Sequence, residues 1–80
     1  MTKRRVQLTF PSDLVREPII WQLAREFEIK FSIRRADVAE SFGWVQLELD
    51  GPDPEIRAAL EWARQRGVRV DLVEGDVLAG

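Results

Sequence analysis

The residues best suited to chemistry are two aromatics on one short stretch. Ser41-Phe42-Gly43-Trp44-Val45-Gln46-Leu47 alternates, and continues through Glu48-Leu49, so a strand here holds Val45, Leu47 and Leu49 on a dry face and Trp44, Gln46 and Glu48 on a wet one. An aromatic on an open sheet face stacks on a base, contacts an apolar ligand, or covers a partner molecule. Catalytic groups are scarcer. Cysteine and histidine are absent, which removes disulfides, thiolate nucleophiles, cysteine-held iron–sulfur clusters, zinc sites and histidine-based acid–base systems. Lysine is confined to Lys3 and Lys30, and the carboxylates are scattered over turns and helix faces. Asp50 and Asp53 bracket Gly51-Pro52, but so short a turn falls short of the roughly six to eight oxygens calcium takes, and a turn with a helix cap is the better reading. The expectation is a protein without enzymatic activity, metal or cofactor.

Eighty residues allow one domain, here residues 1–80 with an ordered core over about 3–73 and a frayed tail from Glu74. A chain of this length buries only about 60 to 65% of the surface its unfolded form exposes, so a second copy covering apolar area is the default expectation. The net charge of −2 is uneven: residues 1–40 carry eight basic and six acidic side chains, residues 41–80 four and eight. Lys3-Arg4-Arg5 is the sole basic run, read as a solvated terminus rather than a phosphate-binding arm. No apolar run approaches the roughly 18 residues of a membrane span, and no apolar signal core follows the basic residues, so no membrane insertion and a cytoplasmic location are expected.

The elements that position these residues follow from periodicity. Val6, Leu8 and Phe10 alternate with polar neighbours, predicting a first strand over 3–10 that Pro11 ends. Pro18 opens a helix with Ile19, Ile20, Leu23, Ala24 and Phe27 on one face and Trp21 at its flank. Ile29, Phe31 and Ile33 start a second strand with odd positions inward, whereas Ala36 and Val38 put the apolar set on even positions. This change of parity predicts a bulge near Arg34-Arg35. A short connection at Glu40-Ser41 leads into the strand over 43–49. Asp53 is expected to cap a helix starting at Pro54, with Ile56, Ala59, Leu60 and Ala63 inward, Arg57 pairing with Glu61, Trp62 at the core flank and Gly67 at the end. Val68, Val70 and Leu72 mark a last strand. The order strand, helix, strand, strand, helix, strand predicts an α+β, ferredoxin-like βαββαβ sandwich: one four-stranded antiparallel sheet with two helices on one face. The open face then carries Arg5, Gln7, Thr9, Lys30, Ser32, Trp44, Gln46, Glu48, Arg69 and Asp71, and Trp44 asks for a partner there.

Taken together, Val6-Gln7-Leu8-Thr9-Phe10-Pro11, Glu17-Pro18, Leu23-Ala24-Arg25-Glu26-Phe27, Phe42-Gly43, Glu48-Leu49-Asp50-Gly51, Ala59-Leu60-Glu61-Trp62 and Gly67-Val68-Arg69-Val70 resemble, in order and spacing, the NIL domain, a small ACT-like family. Members occur at the C-terminus of methionine-importer ATPase subunits and in fusions with ferredoxin modules. The resemblance implies a dimeric regulatory module that binds methionine or another amino acid at its dimer interface, with a larger transporter or ferredoxin-type partner. The Asn-Ile-Leu segment that names the family falls on Ser32-Ile33-Arg34. Serine has one hydroxyl where asparagine both donates and accepts, while Arg34 offers a bidentate contact to a carboxylate or, alternatively, guards an edge strand. The candidate ligand-binding residues are Ser32, Ile33 and Arg34 of this segment together with Trp44 and Gln46 of the open face. Two other readings stand beside this one. A structural interaction module needs no ligand. The stretch Phe42–Leu47 also resembles the third strand of RNA-recognition motifs, although Glu40, Ser41 and Gln7 depart from that pattern and the acidic net charge opposes nucleic acid as a partner.

Overall fold

The computed structural model describes residues 2–73. The predicted order of elements is present: β1 (Thr2–Phe10), α1 (Ile19–Glu26), β2 (Lys30–Val38), β3 (Gly43–Gly51), α2 (Asp53–Gln65) and β4 (Arg69–Leu72). They form one antiparallel sheet in the order β2-β3-β1-β4, so β1 and β3 are central and β2 and β4 are the edges. Both helices cover the same face. Val6, Leu8 and Phe10 of β1 and Val45, Leu47 and Leu49 of β3 meet Ile19 and Leu23 of α1 and Ile56, Ala59, Leu60 and Ala63 of α2 in one buried cluster with Val68. This is the ferredoxin-like sandwich. The parity change in β2 is a bulge, with Ile33 opposite Leu47 and Arg35 opposite Gln46, which leaves Arg34 as the extra residue.

Several local expectations are corrected. Asp53 does not cap α2: Pro52 occupies the cap position, no side chain caps the helix, and Asp53 is its first residue. Its carboxylate instead accepts from Arg4, 3.2 Å away, and forms an ion pair with Arg57 at 2.8 Å. Two guanidiniums outcompete a neutral backbone amide for an ionised carboxylate, and the acid still favours the helix N-terminus through the dipole. Arg57 is therefore paired with Asp53 rather than Glu61, and Glu61 turns to Arg64 at 3.6 Å. In both pairs the acid precedes the base, the orientation the helix dipole prefers. The strand over 43–49 extends to Gly51. Ala24, assigned to the inward stripe, is exposed, because α1 is only eight residues long and rests on the sheet through Ile19 and Leu23.

Two glycines have geometric reasons. Gly67 has φ +97°, the left-handed conformation that ends α2. Gly51 is buried where β3 passes the chain leading into β2, and a Cβ there meets the Glu28 carbonyl oxygen at 3.0 Å and the Ile29 Cα at 3.4 Å. Both neighbours are backbone, so Gly51→Ala is expected to cost about 1 to 3 kcal/mol. An unchanged denaturant midpoint would show that the backbone gives way freely.

Candidate functional site

The covering of the sheet is incomplete on one side. By register, Phe31, Ile33, Ala36 and Val38 of β2 stand opposite Leu49, Leu47, Val45 and Gly43, on the helix side. Period two placed them on the core face, as the sequence implied, yet Ile33 is 63% and Val38 61% exposed, and Ala36 is exposed as well. The helices leave the second half of β2 exposed. The sheet thus ends in a nine-residue edge strand whose helix-side face is apolar and, beyond Phe31, exposed. Trp21, on the nearby helix α1, is 57% exposed, and the Arg25 guanidinium lies 4.8 Å from its ring centre, one turn further along the helix.

Between this edge and α1 lies a cleft of about 180 Å³, lined by Phe10, Val15, Glu17, Pro18, Ile19, Ile20, Trp21, Val38 and Val45. Its position follows from the β1–α1 loop. The amides of Leu14 and Val15 donate to the Pro11 carbonyl at 2.9 and 3.1 Å, and the Glu17 amide donates to the Leu14 carbonyl at 2.9 Å. These turns fold the loop back so that Leu14 and Val15 pack on the core while Glu17 stays at the surface. Pro18 precedes α1 without a side-chain cap, and no acidic residue lies in the first turn. Among the described residues, Glu17 is the sole charged side chain lining the cleft.

The residues expected to bind ligand are split between two faces. Ser32, Trp44 and Gln46 belong to the open face, Ile33 to the helix side, and Arg34 is the bulge residue at the edge. Trp44, expected to be exposed, is half-buried in a row with Asp37 and Thr9 as its cross-strand partners. Gln46 donates through Nε2 to Oε1 of Gln7 at 3.0 Å. Around them the open face alternates in charge: Lys30 stands opposite Asp50 in the strand register, and Arg69 Nε lies 3.0 Å from Asp71. Phe42 is not on this face but in the turn between β2 and β3, closed by the Ala39 amide and the Phe42 carbonyl at 2.8 Å, and is 51% exposed. Trp62 is half-buried at the core flank, edge-on to Phe27 and beneath Arg66. The cleft was missed because its lining comes from four separate segments. One sequence signal pointed to it: Leu14-Val15, an apolar pair in an otherwise polar loop.

The family model of the NIL domain matches residues 4–72. The chain belongs to the NIL domain family. Similar proteins include the methionine import ATP-binding protein MetN of Halalkalibacterium halodurans, 29% identical over 76 residues, which are 90% of this chain and 22% of that protein. MetN 3 of Shouchella clausii is 33% identical over 75 residues, 89% of this chain and 22% of its own length. MetN of Vibrio vulnificus is 31% identical over 72 residues, with 85% and 21% covered. This NIL domain thus spans about a fifth of the length of these relatives. The fold also matches the crystal structure of the C-terminal domain of an ABC transporter ATP-binding protein from Enterococcus faecalis, with a TM-score of 0.77 and 23% identity, covering 91% of this chain and 86% of that one. Among the described residues, no helix is long and apolar enough to cross a membrane.

Proposed function

We propose that this NIL domain is a regulatory module that pairs with a second copy along β2 and responds to a small amino acid, with methionine the first candidate. The observation that carries the reading is the uncovered apolar margin of β2 at Ile33 and Val38, beside α1 and its exposed Trp21. An antiparallel two-fold pairing of β2 with itself sets Lys30 opposite Asp37, Phe31 opposite Ala36 and Ser32 opposite Arg35 of the second copy. In this register, residues that face each other share a face of the sheet, and the two-fold axis repeats the Lys30–Asp37 charge match at both ends. Kinship with methionine import ATP-binding proteins supports the ligand class, a transporter-type partner and a cytoplasmic setting. Ser32 and Arg34 lie on the seam of such a dimer, so a ligand that prefers one arrangement of the two copies shifts the arrangement. The role is binding, not catalysis.

Sedimentation combined with thermal melts in methionine, other amino acids and small anions tests this. The expected results are a dimer and, at a ligand concentration about a hundred times the dissociation constant, a rise of roughly 10 °C or more. A dimer that no member of the panel stabilises would reduce the domain to an interaction module. A monomer would remove the seam.

A further inference from the structure

We infer that the free edge of β4, with the trough between it and α2, docks an extended segment of a partner protein by strand addition and recognises carboxylates that flank an apolar side chain. The site is independent of the pairing along β2, which uses the opposite edge of the sheet. The first observation concerns the main chain. The Val73 amide donates to the Arg5 carbonyl at 3.1 Å, continuing the register in which Gln7 stands opposite Asp71 and Thr9 opposite Arg69. Bonded and non-bonded pairs alternate in an antiparallel ladder, so Arg69 and Asp71 turn their N–H and C=O groups toward β1 while Val70 and Leu72 turn theirs outward. Among the described residues no strand lies beyond β4, and these outward groups are open to one.

The second is the trough itself, about 460 Å³ on the helix side of that edge. Leu72 stands opposite the buried Val6, on the core face, yet is exposed, and with Ile56 and Leu60 of α2 it makes an apolar floor. In an added strand, the residues bonded to Val70 and Leu72 place their side chains on this same side, because facing residues of a ladder share a face. The third is charge. Among the described residues, Arg4, Arg57 and Arg64 line the trough with Glu61 as its one acid, in a chain whose net charge is −2. Arg4 and Arg57 share Asp53, and Arg64 lies 3.6 Å from Glu61, but a guanidinium has five N–H donors and can meet a further carboxylate. Arg57 and Arg64 are seven residues apart, about 10 Å along the helix, with Leu60 between them in sequence. Glutamates four apart in a strand, about 13 Å, span that distance with their flexible side chains, and the residue midway falls over Leu60. The fitting pattern is acid-x-apolar-x-acid.

Fluorescence anisotropy of a labelled peptide, Thr-Glu-Thr-Leu-Thr-Glu-Thr, titrated with the full chain tests the docking. Binding with a dissociation constant below roughly 1 mM is expected. The isomer Thr-Thr-Glu-Leu-Glu-Thr-Thr has the same charge but sets its acids on the face opposite the leucine, and is expected to bind at least about tenfold more weakly. The first peptide N-methylated at its leucine, which lacks the N–H the ladder needs, is expected to weaken as much. Arg57→Gln with Arg64→Gln, both at exposed positions, is expected to cost about tenfold or more, with a melt confirming the fold. Equal binding of the isomer, or full binding of the methylated peptide, overturns strand addition, and neither outcome depends on a variant that folds. Unchanged binding by the arginine variant overturns the trough. Absence of binding by the full chain overturns the site for a partner, and binding that then appears with Glu74→Gln and Asp76→Asn assigns the trough to the chain's own last residues. A dimer that the arginine variant dissociates assigns it to a second copy and likewise overturns the partner.

Discussion

Replacing Leu47 with alanine is expected to lower the melting temperature by roughly 12 to 30 °C, the largest effect of any single core substitution considered for this domain. Leu47 is 0% exposed at the middle of β3, with Val6 of β1 and Ile33 of β2 as its cross-strand partners. Truncation removes the transfer energy of the lost carbons and leaves a void, together about 3 to 4 kcal/mol. A domain of this length has about 4 to 12 kcal/mol in all, so the variant sits near the limit of folding at body temperature. The void is hard to close, because β1 and β3 are hydrogen-bonded on both sides and the helices above them rest on the same cluster. Gln65→Ala, at an exposed position on α2, serves as the control and is expected to stay within about 0.5 kcal/mol. A shift under about 5 °C for Leu47→Ala at the same protein concentration would mean that this strand is not the centre of the core.

The pattern that identified Leu47 as core is the same one that misjudged β2. Alternation states which face of the sheet a side chain occupies, and for Val45, Leu47 and Leu49 that face is covered by helices. For Ile33, Ala36 and Val38 it states the face correctly, down to the bulge that reconciles their parity, but says nothing about cover. Cover depends on where the helices lie, and α1 buries only Ile19 and Leu23 while Ile33, Ala36 and Val38 stay exposed. The charges failed for a related reason. A local window shows Asp53 just before Pro54, a natural cap, and cannot show that the fold brings Arg4 to within 3.2 Å from 49 residues away. Of the candidate site, the resemblance to the NIL family supplied the segment Ser32-Ile33-Arg34, and the period of two then divides it, sending Ser32 and Ile33 to opposite faces. The cleft needs β1, the β1–α1 loop, α1, β2 and β3 together, and no spacing along the chain encodes that convergence.

The double substitution Ile33→Lys, Val38→Lys is expected to convert a dimer into a monomer that keeps its fold. At 63% and 61% exposure, the two side chains contribute little to the core of a single copy, so the stability of the isolated fold is expected to change by no more than about 1 kcal/mol. On pairing along β2, each would bury most of that remaining area, roughly 1 to 2 kcal/mol apiece, and the two-fold axis repeats both in the second copy. Only part of such a sum survives the cost of association, yet each 1.4 kcal/mol retained is tenfold, so weakening by about a thousandfold is expected. Charge adds to this. Lys30, Arg34 and Arg35 already lie on β2, with Asp37 the strand's single acidic residue, and two further cations per copy turn a matched seam into a repulsive one. Leu72→Lys is the discriminating control, because Leu72 is 64% exposed on the opposite edge of the sheet, in β4. Sedimentation across a hundredfold range of concentration reads the result. Loss of association in the β2 variant with Leu72→Lys unaffected places the seam on β2. The reverse outcome places it on β4 and removes the exposed margin of β2 as the carrier of pairing.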